Sequence, residues 1–258
     1  MAAQKIEFSA KKVKAFSAWL KKFASIDTAL LLEIDEIENL FIAKTYNEER
    51  SVVKFSKIKF DEAGLTVKTS KDPKRVKVGI YNIARLMKIM DQFNDEEFSF
   101  TVNYDEIVGE TTEQAGLSLI LKNKNLKMTV ECTSLNIFKY ISDELFEGTI
   151  SNLDEVVAKF ELDASNIEQI NSLCSLDSED KFMEFKNAAD VYVSGKTFDL
   201  LIGEGSGEKQ ENSINIFKEQ FDSIDTENYH VQMGEDRLVF ASTDDNTTTV
   251  ISMVEKDA

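Results

Sequence analysis

Apolar residues along this chain mostly alternate with polar ones over runs of four to ten residues, the period of half-buried strands. In the first half the pattern predicts strands at 5–8, 29–34, 40–46, 51–60, 65–69, 98–104, 117–122 and 126–132. Asn123-Lys124-Asn125 joins the last two as a hairpin turn. Two stretches change to helical spacing. Residues 9–26 place Val13, Phe16, Leu20 and Phe23 on one face, with Ser9 as the expected N-cap. Residues 82–93 do the same with Ile83, Leu86, Met87, Met90 and Phe93, with Asn82 as the cap.

The second half repeats this grammar. Strands are expected at 156–162, 182–186, 190–194, 197–202, 229–233, 238–242 and 248–254. Helices are expected at 163–175, capped by Asp163, and at 216–224. One helix among several hairpins, then a second helix and more strands, occurs once per half, a structural repeat without evident sequence identity. Local hairpins and few helices predict an α+β chain: antiparallel sheets with helices packed on one face. Residues 1–133 and 155–258 are the expected domains, with 134–154 as the connector.

Charge sharpens that division. Residues 1–133 carry 21 Lys+Arg against 20 Asp+Glu, whereas residues 134–258 carry 9 against 27. The net charge of −17 therefore comes from the second half. Cys132 and Cys174 are too few for a disulfide framework and suit a reducing compartment. Neither a signal core nor a long apolar run is visible, so a secreted or membrane-spanning chain is not expected. No Cys/His cluster suggests zinc and no phosphate-loop motif suggests a nucleotide, so no cofactor is expected. The glycine-rich run 203–209 contains two carboxylates and reads as a surface loop; the lone His230 lies in a strand-like run.

Residues 9–26 hold five lysines, Lys11, Lys12, Lys14, Lys21 and Lys22, and no carboxylate. Lys11, Lys14, Lys21 and Lys22 project opposite the apolar face, with Lys12 on its flank. On the second helix Arg85 and Lys88 point away from the core side, and Lys74-Arg75-Val76-Lys77 adds charge nearby. For either helix alone a solvated lysine face explains the pattern. Two such faces on one sheet would form a surface that attracts phosphates without reading bases.

The helix running through Phe23-Ala24-Ser25-Ile26-Asp27 into the hairpin 30–46 resembles the sliding clamps of T-even-type bacteriophages, relatives of proliferating-cell nuclear antigen. So does the ending, Glu227-Asn228-Tyr229-His230-Val231 followed by the hairpin 238–254, and more weakly Gly79-Ile80-Tyr81-Asn82. The resemblance implies a two-domain DNA clamp fold and a homotrimeric ring, with helices lining a hole for double-stranded DNA and sheets outside. It implies no enzymatic activity, a DNA polymerase as partner, an ATP-dependent clamp loader and a cytoplasmic location, the host bacterium's if the protein is viral. DNA contact would fall to Lys11, Lys12, Lys14, Lys21, Lys22, Arg85, Lys88 and, from the fourth helix, Lys218. Partner peptides would dock near Leu40, Ile42, Ile137, Val250, Ile251 and Met253, and residues 126–132 of one subunit would pair with 197–202 of the next. The third helix departs from the pattern, presenting Glu168, Gln169 and Ser172 without a lysine. The alternatives are a β-rich structural or virion assembly protein and a metal-assisted enzyme using the acidic second half.

Overall fold

The computed structural model describes residues 4–10, 14–68, 72–93, 97–108, 112–138, 156–177, 179–204 and 212–255. The expected position of Lys11, Lys12 and Val13 and most of the 134–154 connector fall outside the described residues. The chain divides into two compact units: residues 1–45 with 55–142, and residues 46–54 with 143–258. Residues 46–54 thus cluster with the second unit, an excursion that no composition shift marks.

In unit 1 the strands are β1 (Gln4–Ala10), β2 (Leu30–Asp35), β3 (Leu40–Tyr46), the later part of β4 (Val52–Lys59), β5 (Leu65–Val67), β6 (Arg75–Ile80), β7 (Phe98–Val108), β8 (Thr112–Lys122) and β9 (Lys127–Glu131). They run in the order β3-β2-β6-β8-β7-β1-β5, with β9 paired to β8. Pairings are antiparallel except β6 with β8. Alternation explains the arrangement: Ile6, Phe8 and Ala10 are buried on β1, as are Val76, Val78 and Ile80 on β6. The helices α1 (Lys14–Lys21) and α2 (Ile83–Asp91) insert Phe16, Trp19, Leu20, Ile83, Leu86, Ile89 and Met90 into the same core. Phe16 and Trp19 stack, and Trp19 Nε1–H donates to Ser56 Oγ at 2.7 Å, so the one tryptophan is buried with its polar atom satisfied.

Three local expectations change. Ser9 is not a helix cap: it lies opposite Ser99 and Thr66, because the inward alternation on β1 continues to Ala10. The segment 75–80, expected only to add charge, is the strand β6, held between β2 and β8. There Arg75 pairs with the buried Asp35 at 2.8 Å and Lys74 with Asp72 at 2.5 Å. Gly79 is needed because Thr133 approaches it closely: an added Cβ would lie 2.6 Å from the Thr133 carbonyl oxygen. Asn82, by contrast, caps α2 as expected, its Oδ1 accepting from Arg85 N–H at 2.7 Å.

Unit 2 holds one sheet in the order β10 (Ala158–Leu162), β15 (Tyr229–Met233), β16 (Arg237–Ser242), β17 (Asn246–Ser252) and the start of β4. A second sheet runs β13 (Asp199–Glu204), β12 (Asp190–Ser194), β11 (Phe182–Asn187) and β14 (Asn212–Phe217). Helix α3 (Ala164–Leu176) starts at Asp163, whose capping box with Asn166 is complete, as the sequence predicts. The helix expected at 216–224 is reduced to α4 (Lys218–Phe221), because Ile214 and Ile216 alternate into the core as part of β14. Lys54 is buried here. Its ammonium donates to the Ser223 carbonyl at 2.8 Å and to Asp225 Oδ2 at 2.6 Å, and so ties the excursion 46–54 to the second unit.

Candidate nucleic-acid interface

The first and second helices pack side by side on the core of unit 1. Between them runs a groove of about 400 Å³ lined by Lys14, Ser17, Ala18 and Lys21 of α1 and by Ala84, Met87, Lys88 and Asp91 of α2. The small residues Ser17, Ala18 and Ala84 form its floor, and three lysines stand around it. Lys14 and Lys21 are seven residues apart, which places them on one face, about 10.5 Å apart along the axis. Asp91 is the one carboxylate among the lining residues.

Helix energetics alone would not select this arrangement. A helix N-terminus favours Asp or Glu in its first turn by roughly 0.3–1 kcal/mol. Neither helix has an acid there, and Lys14 and Arg85 occupy the first turns instead. The cations nearer the C-terminal ends, Lys21 and Lys88, agree with the dipole. Where local preference is overridden on an exposed face, a requirement beyond folding is the physical inference.

The other expected DNA-contact residues separate. Arg85 is exposed on α2 but does not line the groove. Lys22 lies past the end of α1, half-buried and already engaged. Lys218 is a correction. Its ammonium donates to the Asp177 backbone carbonyl and stands 3.3 Å from Asp177 Oδ2, in a pair with little solvent access. Asp177 follows the last residue of α3, so this lysine closes the carbonyl end of that helix instead of facing outward. Burial pushes the Asp177 carboxyl up, but the Lys196 backbone N–H and Lys218 outweigh it and hold it below its ordinary value of 3.8. The third helix presents Glu168, Gln169 and Ser172 to solvent and buries Ile167 and Ile170, as its sequence predicts.

The expected partner-contact residues also divide. In unit 1, Leu40 and Ile42 are half-buried and Ile137 is 43% exposed. In unit 2, Met253 is 40% exposed, whereas Val250 and Ile251 are buried at 2% and 0%. Those two belong to the core side of β17 and have no surface for a ligand, a correction to the expected set.

Nothing among the described residues suggests bond-making chemistry. No group of three or more His, Cys, Asp or Glu side chains is placed to hold a metal. Burial, with Glu131 nearby, pushes the Cys132 thiol up to about 12, and burial raises Cys174 as well. Both sulfurs stay protonated and unreactive near neutrality. His230 is exposed on β15, facing Glu161 across the strand pair at 3.4 Å. No described helix is long and apolar enough to cross a membrane.

No family model and no curated protein matches the sequence. Solved structures do match. The chain is similar to A. fulgidus PCNA bound to the C-terminal region of FEN-1, with a TM-score of 0.62 and 12% identity over 97% of this chain and 99% of that one. It is similar to the Helicobacter pylori beta clamp bound to a DNA ligase peptide, with a TM-score of 0.66 and 10% identity over 99% of this chain and 67% of that one. The beta subunit of DNA polymerase III from Pseudomonas aeruginosa gives a TM-score of 0.63 and 12% identity over 96% of this chain. This chain spans only 64% of that subunit's length. At such identities the likeness is one of fold: the chain has a clamp-like fold, rich in sheet with few helices.

Proposed function

We propose that this chain is a subunit of a sliding clamp, a non-enzymatic ring that encircles double-stranded DNA and holds a DNA polymerase at its template. The carrying observation is the groove in which Lys14, Lys21 and Lys88, from two helices of one unit, stand together within an acidic protein. Lysine is a compact charge without a base-edge pattern, so such a groove suits phosphates of any sequence. Negative charge elsewhere on the chain disfavours adhesion outside it. Contacts of this kind are weak and salt-sensitive, which permits sliding, while linkage of ring and duplex supplies persistence.

A homotrimer is the assembly this reading favours. The edge strands are consistent with it: among the described residues β9 pairs only with β8, and β13 ends its sheet beside β12. An unpaired edge invites another strand, and joining β9 of one subunit to β13 of the next would close a ring without leaving exposed edges. A closed ring needs an ATP-dependent loader, a partner this reading requires. On unit 1, partner-peptide contact is assigned to Leu40, Ile42 and Ile137; on unit 2, Met253 is the remaining candidate.

Sedimentation equilibrium tests the assembly. A species near 88 kDa, three chains of 29.2 kDa, is expected. A monomer would sink the ring, and a large lattice would favour the β-rich assembly protein instead.

A further inference from the structure

A second basic cavity in unit 1 shares no residue with the helical groove. It measures about 520 Å³ and is lined by Ser9, Ala10, Lys68, Glu97, Phe98, Ser99, Lys122, Asn123 and Lys124. Since a water occupies about 30 Å³ of liquid, a phosphodiester group fits with its hydration. Its three lysines come from separate segments: Lys68 follows β5, Lys122 ends β8 and Lys124 sits in the β8–β9 turn.

The cavity is held in shape by hydrogen bonds. Asn123 Oδ1 accepts from Asn125 N–H at 2.9 Å and from Leu126 N–H at 2.7 Å, which fixes the turn carrying Lys124. Ser99 Oγ donates to the Lys122 carbonyl at 3.2 Å and Ser9 Oγ to the Thr66 carbonyl at 3.4 Å. Lys68 is tied to Glu7 at 3.0 Å, and Glu97 supplies the one lining carboxylate. Neither Lys122 nor Lys124 forms an ion pair with a described residue, so these two ammonium groups are available to an anion.

Position supplies the second argument. Ala10 lines this cavity and Lys14 lines the groove, and four residues of chain span at most about 14 Å. A duplex carries one charge per roughly 1.7 Å of axis, so a backbone reaching one site has phosphates within range of the other. We infer that the cavity of Lys68, Lys122 and Lys124 takes a backbone phosphate of the DNA that the helical groove binds, which extends the interface beyond the two helices. This rests on the clamp reading.

The test is anisotropy of a labelled linear duplex titrated with the full-length protein over a range of salt. Lys122→Gln with Lys124→Gln, both exposed changes, should weaken binding several-fold and flatten the slope of log K against log salt by about 2, at roughly 0.9 per lost contact. Lys14→Ala, Lys21→Ala and Lys88→Ala together probe the groove separately. If the glutamine variant keeps the parental affinity and slope while the groove variant weakens, the cavity proposal is overturned and the clamp reading stands. If neither variant weakens, both fail. Inorganic phosphate alone is titrated against the amide resonances of residues 123–126. Shifts at low phosphate concentration equal to those from duplex would identify a free-anion site and overturn the assignment to DNA.

Discussion

Lys54 shows how much a single residue can organise. Its ammonium is buried, and it satisfies both the Ser223 carbonyl and Asp225, while Tyr229 O–H donates to the Asp225 carbonyl at 3.1 Å. Removing one member of such a pair leaves the other charge without its partner. Lys54→Ala should therefore destabilise the protein by about 3 kcal/mol, seen as a lower midpoint in urea unfolding. An unchanged midpoint would show that the contact is replaced by solvent. Asp177 gives a pH-dependent counterpart. Its folded-state carboxyl titrates below the ordinary 3.8, so the stabilisation it contributes is complete above that value and is lost as pH falls through the folded-state value. Wild type and Asp177→Asn should differ in thermal midpoint at neutral pH and converge in acid. A difference that persists undiminished at the lowest pH would assign the effect to something other than ionisation.

At the scale of elements, the pair α1 and α2 matters most. Each is too short to be stable alone, so both exist because their apolar faces complete the unit 1 core. The outward faces are then unconstrained by packing, and charge there can be altered without loss of fold. Replacing Lys14, Lys21 and Lys88 by alanine should leave the circular dichroism spectrum intact. It should weaken duplex binding and flatten its salt dependence by up to roughly 3, at about 0.9 per contact. Full retention of binding would mean that the groove is a solvated surface. Helix α3 offers a built-in contrast: its solvent side carries no base, and Lys218, the nearest substitute, is turned toward its carbonyl end. DNA contact is therefore assigned to unit 1.

For the whole molecule, topology separates clamp from ordinary binder. A lysine groove alone gives an equilibrium that salt dissolves, whereas a ring threaded by DNA leaves only at an end or through an opened interface. Protein loaded on circular duplex should survive a high-salt wash and dissociate when the circle is linearised. Loss of protein from intact circles in the same wash would remove the topological element while leaving the groove's affinity unaffected.

Much of this was legible in the chain. Period-two alternation located most strands, Asn82 and Asp163 announced their helices through side-chain caps, and the missing carboxylates around Lys14 and Lys21 marked the unusual helix. These are local properties, fixed by neighbours a few residues apart. What the sequence could not decide were the long-range choices: Ser9 continuing a strand because Ser99 and Thr66 lie beside it, and residues 75–80 becoming a buried strand because two others flank them. The same holds for Val250 and Ile251 turning inward and for Lys218 meeting Asp177, 41 residues away. A side chain's environment is set by what packs against it from distant parts of the chain, and only the folded arrangement shows which cations keep access to solvent and which are consumed in holding the protein together.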